Sequence, residues 1–167
     1  MLGFLFRGLT AEPARGAALF DALTDEARRP HWYVDGEVPD TLDGRFAVLT
    51  TVTALALVRL EEEGEPGSRA SAALTERFIE VMESEHRELG IGDPTLGRTV
   101  RKLVSILAKR ADLWRDRDAD WSAATRQSLY KKEPAAAALT HSGAALKELA
   151  GRLRATPFGE LEHGRIA

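Results

Sequence analysis

The sequence has no cysteine, and this one absence excludes disulfide scaffolds, cysteine-ligated zinc and iron–sulfur centres, and thiol nucleophiles. Aromatic residues make up only 7% of the chain and β-branched residues gather mainly in one stretch, which disfavours strands. Long apolar runs are missing too. The longest uncharged stretch, Phe46 to Val58, has 13 residues including three Thr, whereas a membrane-spanning helix needs about 20 apolar residues. The opening MLGFLFRGLT has one positive charge, an apolar run too short for a secretory core and no small-residue cleavage site after it, so a cytoplasmic location is expected. Neither sign of charge dominates: 23 Lys and Arg face 26 Asp and Glu over 167 residues. A chain of this length fits one domain that buries about 70% of its unfolded surface, enough to fold without a metal or cross-link.

What is present favours helix. Ala, Leu, Glu and Arg dominate, and the apolar spacing predicts an all-α, single-domain bundle of about six helices with one long structured loop between the first two. Leu19, Leu23 and Ala27 recur at i, i+4 and i+8, giving a helix over 12–28 that Pro30 stops. The segment PHWYVDGEVPDTLDG (30–44) holds two Pro, two Gly and three Asp around Trp32, Tyr33 and Val38, the composition of a turning loop pinned by aromatics. A second helix over 42–63 is apolar on most of its circumference and belongs at the centre of the bundle. The sequence EGEPGSRAS is expected to be a flexible connector before a third helix over 72–89 with Phe78, Met82 and Leu89 on one stripe. Gly90 stands at a helix C-terminus, and Asp93-Pro94 supplies the cap and first proline of a fourth helix over 94–109. Further helices are expected over 118–130 and 134–154. The expected organisation is an N-terminal segment (1–11), a helical domain (12–154) and a C-terminal tail (155–167), with no internal repeat.

The nearly balanced charge is unevenly placed. From Leu60 to Asp93 there are 10 acidic and 3 basic residues, and from Arg98 to Lys132 there are 4 acidic and 10 basic, so the domain is two-sided electrically. The basic side could meet RNA or lipid phosphate through charge. It lacks interleaved aromatics for stacking on bases, so no sequence-specific nucleic-acid reading is expected.

Catalytic constellations are sparse. No G-x-S-x-G, phosphate-binding loop or strand-linked G-x-G-x-x-G occurs. The four histidines, His31, His86, His141 and His163, form no evident set. Glu83 with His86 and Glu160 with His163 repeat the Glu-x-x-His spacing of di-iron bundles, yet the second pair lies past Pro157 and Gly159 and no other helix offers an inward Glu. No metal, cofactor or enzymatic activity is expected.

Three ordered segments carry a resemblance: ARRPHWYVDGEVPDTLDGRF (27–46), VRLEEEG (58–64) and HRELGIGDPTLGRTVRKL (86–103). Their most specific parts are Arg29-Pro30 with Tyr33, Val38-Pro39-Asp40-Thr41, Gly44-Arg45-Phe46 and the run from Arg87 to Asp93. From about Leu19 to Trp114 the chain resembles the ubiquinol-cytochrome c chaperone family. The resemblance implies an all-α, non-enzymatic assembly factor for the cytochrome bc1 complex, cytoplasmic or peripheral at the inner membrane. Its implied client is nascent or newly inserted cytochrome b, or another hydrophobic protein if the chain is a divergent adaptor. A small partner protein and non-specific ribosome contact are also implied. On this reading Arg29, Trp32, Tyr33, Val38, Asp40, Asp43, Arg45, Arg87, Glu88 and Lys102 meet a client or partner. Pro30, Pro39, Gly44, Phe46, Gly90, Gly92 and Asp93 shape the loop and the turn. The chain departs from the family pattern at Ala47-Val48, Thr51-Val52, Val81 to Ser84 and Leu107 to Lys109, positions expected to bear on the client surface.

Overall fold

The computed structural model describes residues 16–88, 93–116 and 120–167, with side chains throughout except at His86, 93–97 and Thr99. Among the described residues the fold is helical and contains no strand. Helix α1 covers 16–27, followed by α2 (His31–Val34), α3 (Leu42–Leu60), a 3-10 turn (Glu61–Glu63), α4 (Gly64–Glu88), α5 (Asp93–Arg115), α6 (Trp121–Leu129), α7 (Ala136–Ala155) and α8 (Phe158–Glu162).

Helix α3 is the axis of the bundle, packing against α4, α5, α6 and α7. It buries Val48, Leu60 and every residue from Thr50 to Leu57, so its sides are covered by neighbours as its apolar circumference predicts. Two of its buried threonines bond back to the helix, Thr50 to the Phe46 carbonyl and Thr51 to the Ala47 carbonyl, each at 2.7 Å. Around it, Leu23, Leu60, Leu74, Leu146 and Leu149 have no exposed surface, and each such burial stabilises the fold by about 2 kcal/mol. Phe78 is met edge-on by Phe20 at 6.4 Å and by the tilted ring of Phe46 at 6.2 Å, which joins α1, α3 and α4.

The charged side chains that enter this core are tied to backbone. Arg110 of α5 donates to the Thr51 hydroxyl of α3 at 2.7 Å and to the Ser128 carbonyl of α6 at 2.5 Å. Burial lowers its pKa from the ordinary guanidinium value. Arg59 donates from Nε to the Leu153 carbonyl (3.1 Å) and from Nη2 to the Thr156 carbonyl (3.2 Å), covering acceptors that the end of α7 leaves open.

Four segments differ from the sequence expectation. The connector EGEPGSRAS is the first two turns of α4 and not a flexible link. Pro66 falls in the first turn, where its missing N–H is not needed, and Gly64 takes the left-handed φ of 64° that turns the chain out of the preceding 3-10 turn. Helix α5 continues six residues past Lys109 because Ala111 and Trp114 keep the buried spacing of Leu103 and Leu107. The loop 30–44 contains the turn α2. The expected C-terminal tail carries α8, whose Leu161 is 1% exposed in the core.

Candidate functional site

The loop between α1 and α3 is built on the end of α1. Its last carbonyls lack i+4 helical donors, and side chains of α2 donate to them: the Trp32 indole to the Glu26 carbonyl at 3.0 Å, which also accepts from the Arg29 N–H at 3.2 Å, and the Tyr33 hydroxyl to the Ala27 carbonyl at 2.7 Å. Trp32 and Val38, expected to touch a client, are 0% and 1% exposed and belong to the core. Tyr33 is half-buried, and burial raises its phenol pKa against a smaller opposing effect of Arg45. At the far end of the loop Thr41 caps α3, accepting from the Gly44 N–H at 3.2 Å. A Cβ on Gly44 would lie 1.8 Å from the Pro39 carbonyl oxygen, so only glycine lets the loop cross the first turn of α3 this closely.

Between the loop and the C-terminal end of α4 lies a cavity of about 740 Å³, within the range of about 300–1,000 Å³ usual for binding pockets. Its apolar lining comes from Val34, Leu42, Phe46, Leu49 and Met82. Val34 and Leu42 are each 70% exposed, an unusual state for large aliphatic side chains on adjoining segments. Arg28, Asp40, Arg45, Glu85 and Glu88 add charge around it. Asp40 and Arg45 pair at 2.7 Å in solvent. The guanidinium hydrogen bond holds the Asp40 carboxyl below its usual range and raises Arg45 in return.

Of the residues the sequence singles out, Pro30, Tyr33, Asp40, Arg45, Phe46 and Glu88 converge on this cavity. Asp43 turns away to Lys131, whose ammonium lies 2.5 Å from its carboxylate and lowers its pKa, with Lys102 adding to the effect. Arg29 is 52% exposed and sits 3.3 Å from Glu26. Arg87 is exposed but does not line the cavity. Gly90 and Gly92 fall outside the described residues, as does the side chain of Asp93. The positions that depart from the family pattern in α3 were expected to bear on the client surface, yet Val48, Thr51 and Val52 are each fully buried. Differences there alter core packing.

Sequence reasoning missed Thr24, Arg28, Val34, Leu42, Leu49 and Glu85. A signal was available for α4, where Met82, Glu85 and Glu88 follow at three-residue steps on one helix face. It also missed Tyr130, whose hydroxyl donates to the Gly36 carbonyl at 2.5 Å and lies 2.7 Å from the Ser142 hydroxyl, fastening the loop to α7. Among the described residues no group of three His, Asp or Glu side chains is placed to hold a metal. His163 instead contacts the Gly159 carbonyl at 2.6 Å, and Glu160 is occupied by Arg165.

The family model of the ubiquinol-cytochrome C chaperone matches residues 34–157, most of the chain. The chain belongs to the ubiquinol-cytochrome c chaperone family. That match runs on through α6 and α7, past the sequence resemblance, which stops near Trp114. The structure of this family member is similar to the crystal structure of the Cbp3 homolog from Brucella abortus, with a TM-score of 0.76 and 25% identity over 100% of this chain and 96% of that one. No match is found among curated proteins. The loop half of the chaperone's cavity starts at the edge of the family match, because Thr24 to Tyr33 precede residue 34 and Val34, Asp40, Leu42 and Arg45 lie within it.

Proposed function

We propose that this protein is a non-enzymatic assembly chaperone for the cytochrome bc1 complex that holds newly made cytochrome b at the inner membrane. Holding an unassembled membrane subunit requires an apolar surface, a charged border that keeps the empty chaperone in solution, and reversible contact without bond making. The observation that carries the reading is the open cavity whose wall exposes Val34 and Leu42 beside Phe46, Leu49 and Met82. Membership of the chaperone family supports it. Among the described residues no helix is long and apolar enough to cross a membrane, which fits peripheral attachment.

The test is a reduced-minus-oxidised haem spectrum of membranes from cells that lack the protein, with cytochrome b quantified on the same membranes. Loss of the b-type signal, restored by the wild-type chain and not by Val34→Glu with Leu42→Glu, is expected. Both side chains are 70% exposed, so the double variant keeps its fold and loses the apolar contact. Normal cytochrome b without the protein, in a cell with no second family member, would direct the search to another hydrophobic client.

A further inference from the structure

The outward side of α5 differs from every other helix face. Arg98, Arg101, Lys102 and Lys109 are all exposed on it. Arg115 at the end of the same helix is held by Glu61 and Asp112, whereas none of those four cations forms an ion pair among the described residues. They span twelve residues, a stripe of about 16 Å at the helical rise. Val104, 38% exposed, borders it at the i+3 position from Arg101, so an aliphatic side chain flanks the cations.

The stripe continues toward the first turn of α3. Lys102 acts with Lys131 on Asp43 at the first turn of α3, and the residue before Asp43 is Leu42, the exposed aliphatic at the cavity wall. Helix α4 packs beside α5 and carries the opposite sign, with Glu76, Glu80, Glu85 and Glu88 exposed. A negatively charged plane would attract the α5 side and repel the α4 side, which fixes one orientation.

We propose that the exposed face of α5 from Arg98 to Lys109, continued by Leu42 and Lys131 beside the first turn of α3, docks on a bilayer of anionic phospholipid. Cations draw the face to the headgroups, and Leu42 and Val104 enter the boundary of the acyl region. A nucleic acid is the less suitable occupant, because the face offers aliphatic side chains and no aromatic ring on which a base could stack. The inference does not depend on the client of the proposed function. Vesicle binding is read without the client, so either reading can fail alone.

The experiment is flotation of the full chain with vesicles of phosphatidylcholine alone or mixed with phosphatidylglycerol. Binding only to the mixed vesicles is expected, weakening as salt screens the charges. Arg101→Glu with Lys102→Glu should raise the apparent Kd about tenfold or more, and the milder Arg101→Gln with Lys102→Gln should weaken binding in the same direction. Arg69→Glu with Lys147→Glu makes the same change in net charge on other helices and should stay within about twofold of wild type, since the orientation excludes those sites. Leu42→Ser with Val104→Ser should weaken binding at constant charge. Equal losses in the two charge-reversed proteins would overturn the proposal, as would binding to neutral vesicles alone. Unchanged vesicle binding by the serine variant, with comparable binding to single-stranded RNA, would identify a phosphate-polymer surface instead. Circular dichroism on each variant checks that the helices remain.

Discussion

Nδ1 of His31 lies 3.1 Å from Nε2 of His141, joining α2 to α7 behind the loop that forms the cavity. One ring donates and the other accepts, so the contact needs at least one neutral imidazole. Glu26 stands at 3.9 Å from Nε2 of His31 and is itself held by Arg152 at 2.8 Å and Arg29 at 3.3 Å. Burial, then the charge of Arg29, then His141 keep His31 below the usual imidazole range, against the opposing pull of Glu26 and Asp35.

The sign of the resulting pH dependence is fixed. Because the folded pKa of His31 is lower than the unfolded one, the unfolded chain binds more protons between the two values and stability rises with pH there. The contribution is complete above the ordinary imidazole pKa of 6.5 and is lost as pH falls through the folded value. Urea midpoints measured from pH 7.5 down to about 5.5, above the range where carboxylates titrate, should fall for the wild type. His31→Gln should flatten that slope, and an identical slope in both proteins would exclude His31 as its source.

Gly44→Ala should destabilise the fold by about 3 kcal/mol or more, because the new methyl must displace the backbone carbonyl of Pro39. Thr41→Ala, which removes only the cap of the same helix, should cost about 1 kcal/mol. The two urea midpoints are read side by side. A cost for the glycine variant no larger than for the cap variant would mean that the loop yields easily.

Trp32→Ala empties a fully buried site and removes the indole hydrogen bond to the Glu26 carbonyl. A loss of about 4 kcal/mol is expected. Tyr33→Phe removes one hydrogen bond to the Ala27 carbonyl and should cost about 1 kcal/mol. If Trp32→Ala were instead near neutral in stability, the indole would not be part of the core and its place as a contact residue would be restored.

Arg110→Met keeps an unbranched apolar stem and removes the bonds that tie α5 to Thr51 and Ser128. Two opposing effects follow: about 2 kcal/mol of charge-assisted hydrogen bonding disappears, while the desolvation cost that lowers the Arg110 pKa disappears too. A net loss of about 1 kcal/mol is expected, with faster hydrogen exchange in α6. A gain in stability would show that desolvation outweighs the bonds.

The sequence by itself determined the helical class and the position of the central helix, since an apolar circumference between Phe46 and Leu60 leaves no solvent face. It also marked Pro30, Tyr33, Asp40, Arg45, Phe46 and Glu88, all of which line the cavity. Local signals fail where an effect depends on a distant segment. Nothing in the residue order distinguishes Trp32, which the core encloses, from Leu42, which stays exposed, because burial is decided by what packs across the site. The beginning of α4 reads as a flexible link because Gly and Pro are turn residues, and only the chain path from Gly64 shows that Pro66 falls where a helix accepts it. In the same way Tyr130 at the end of α6 and His141 of α7 reach the loop from more than ninety residues away in the sequence. Such contacts have no period along the chain, so they become legible only when the helices are assembled.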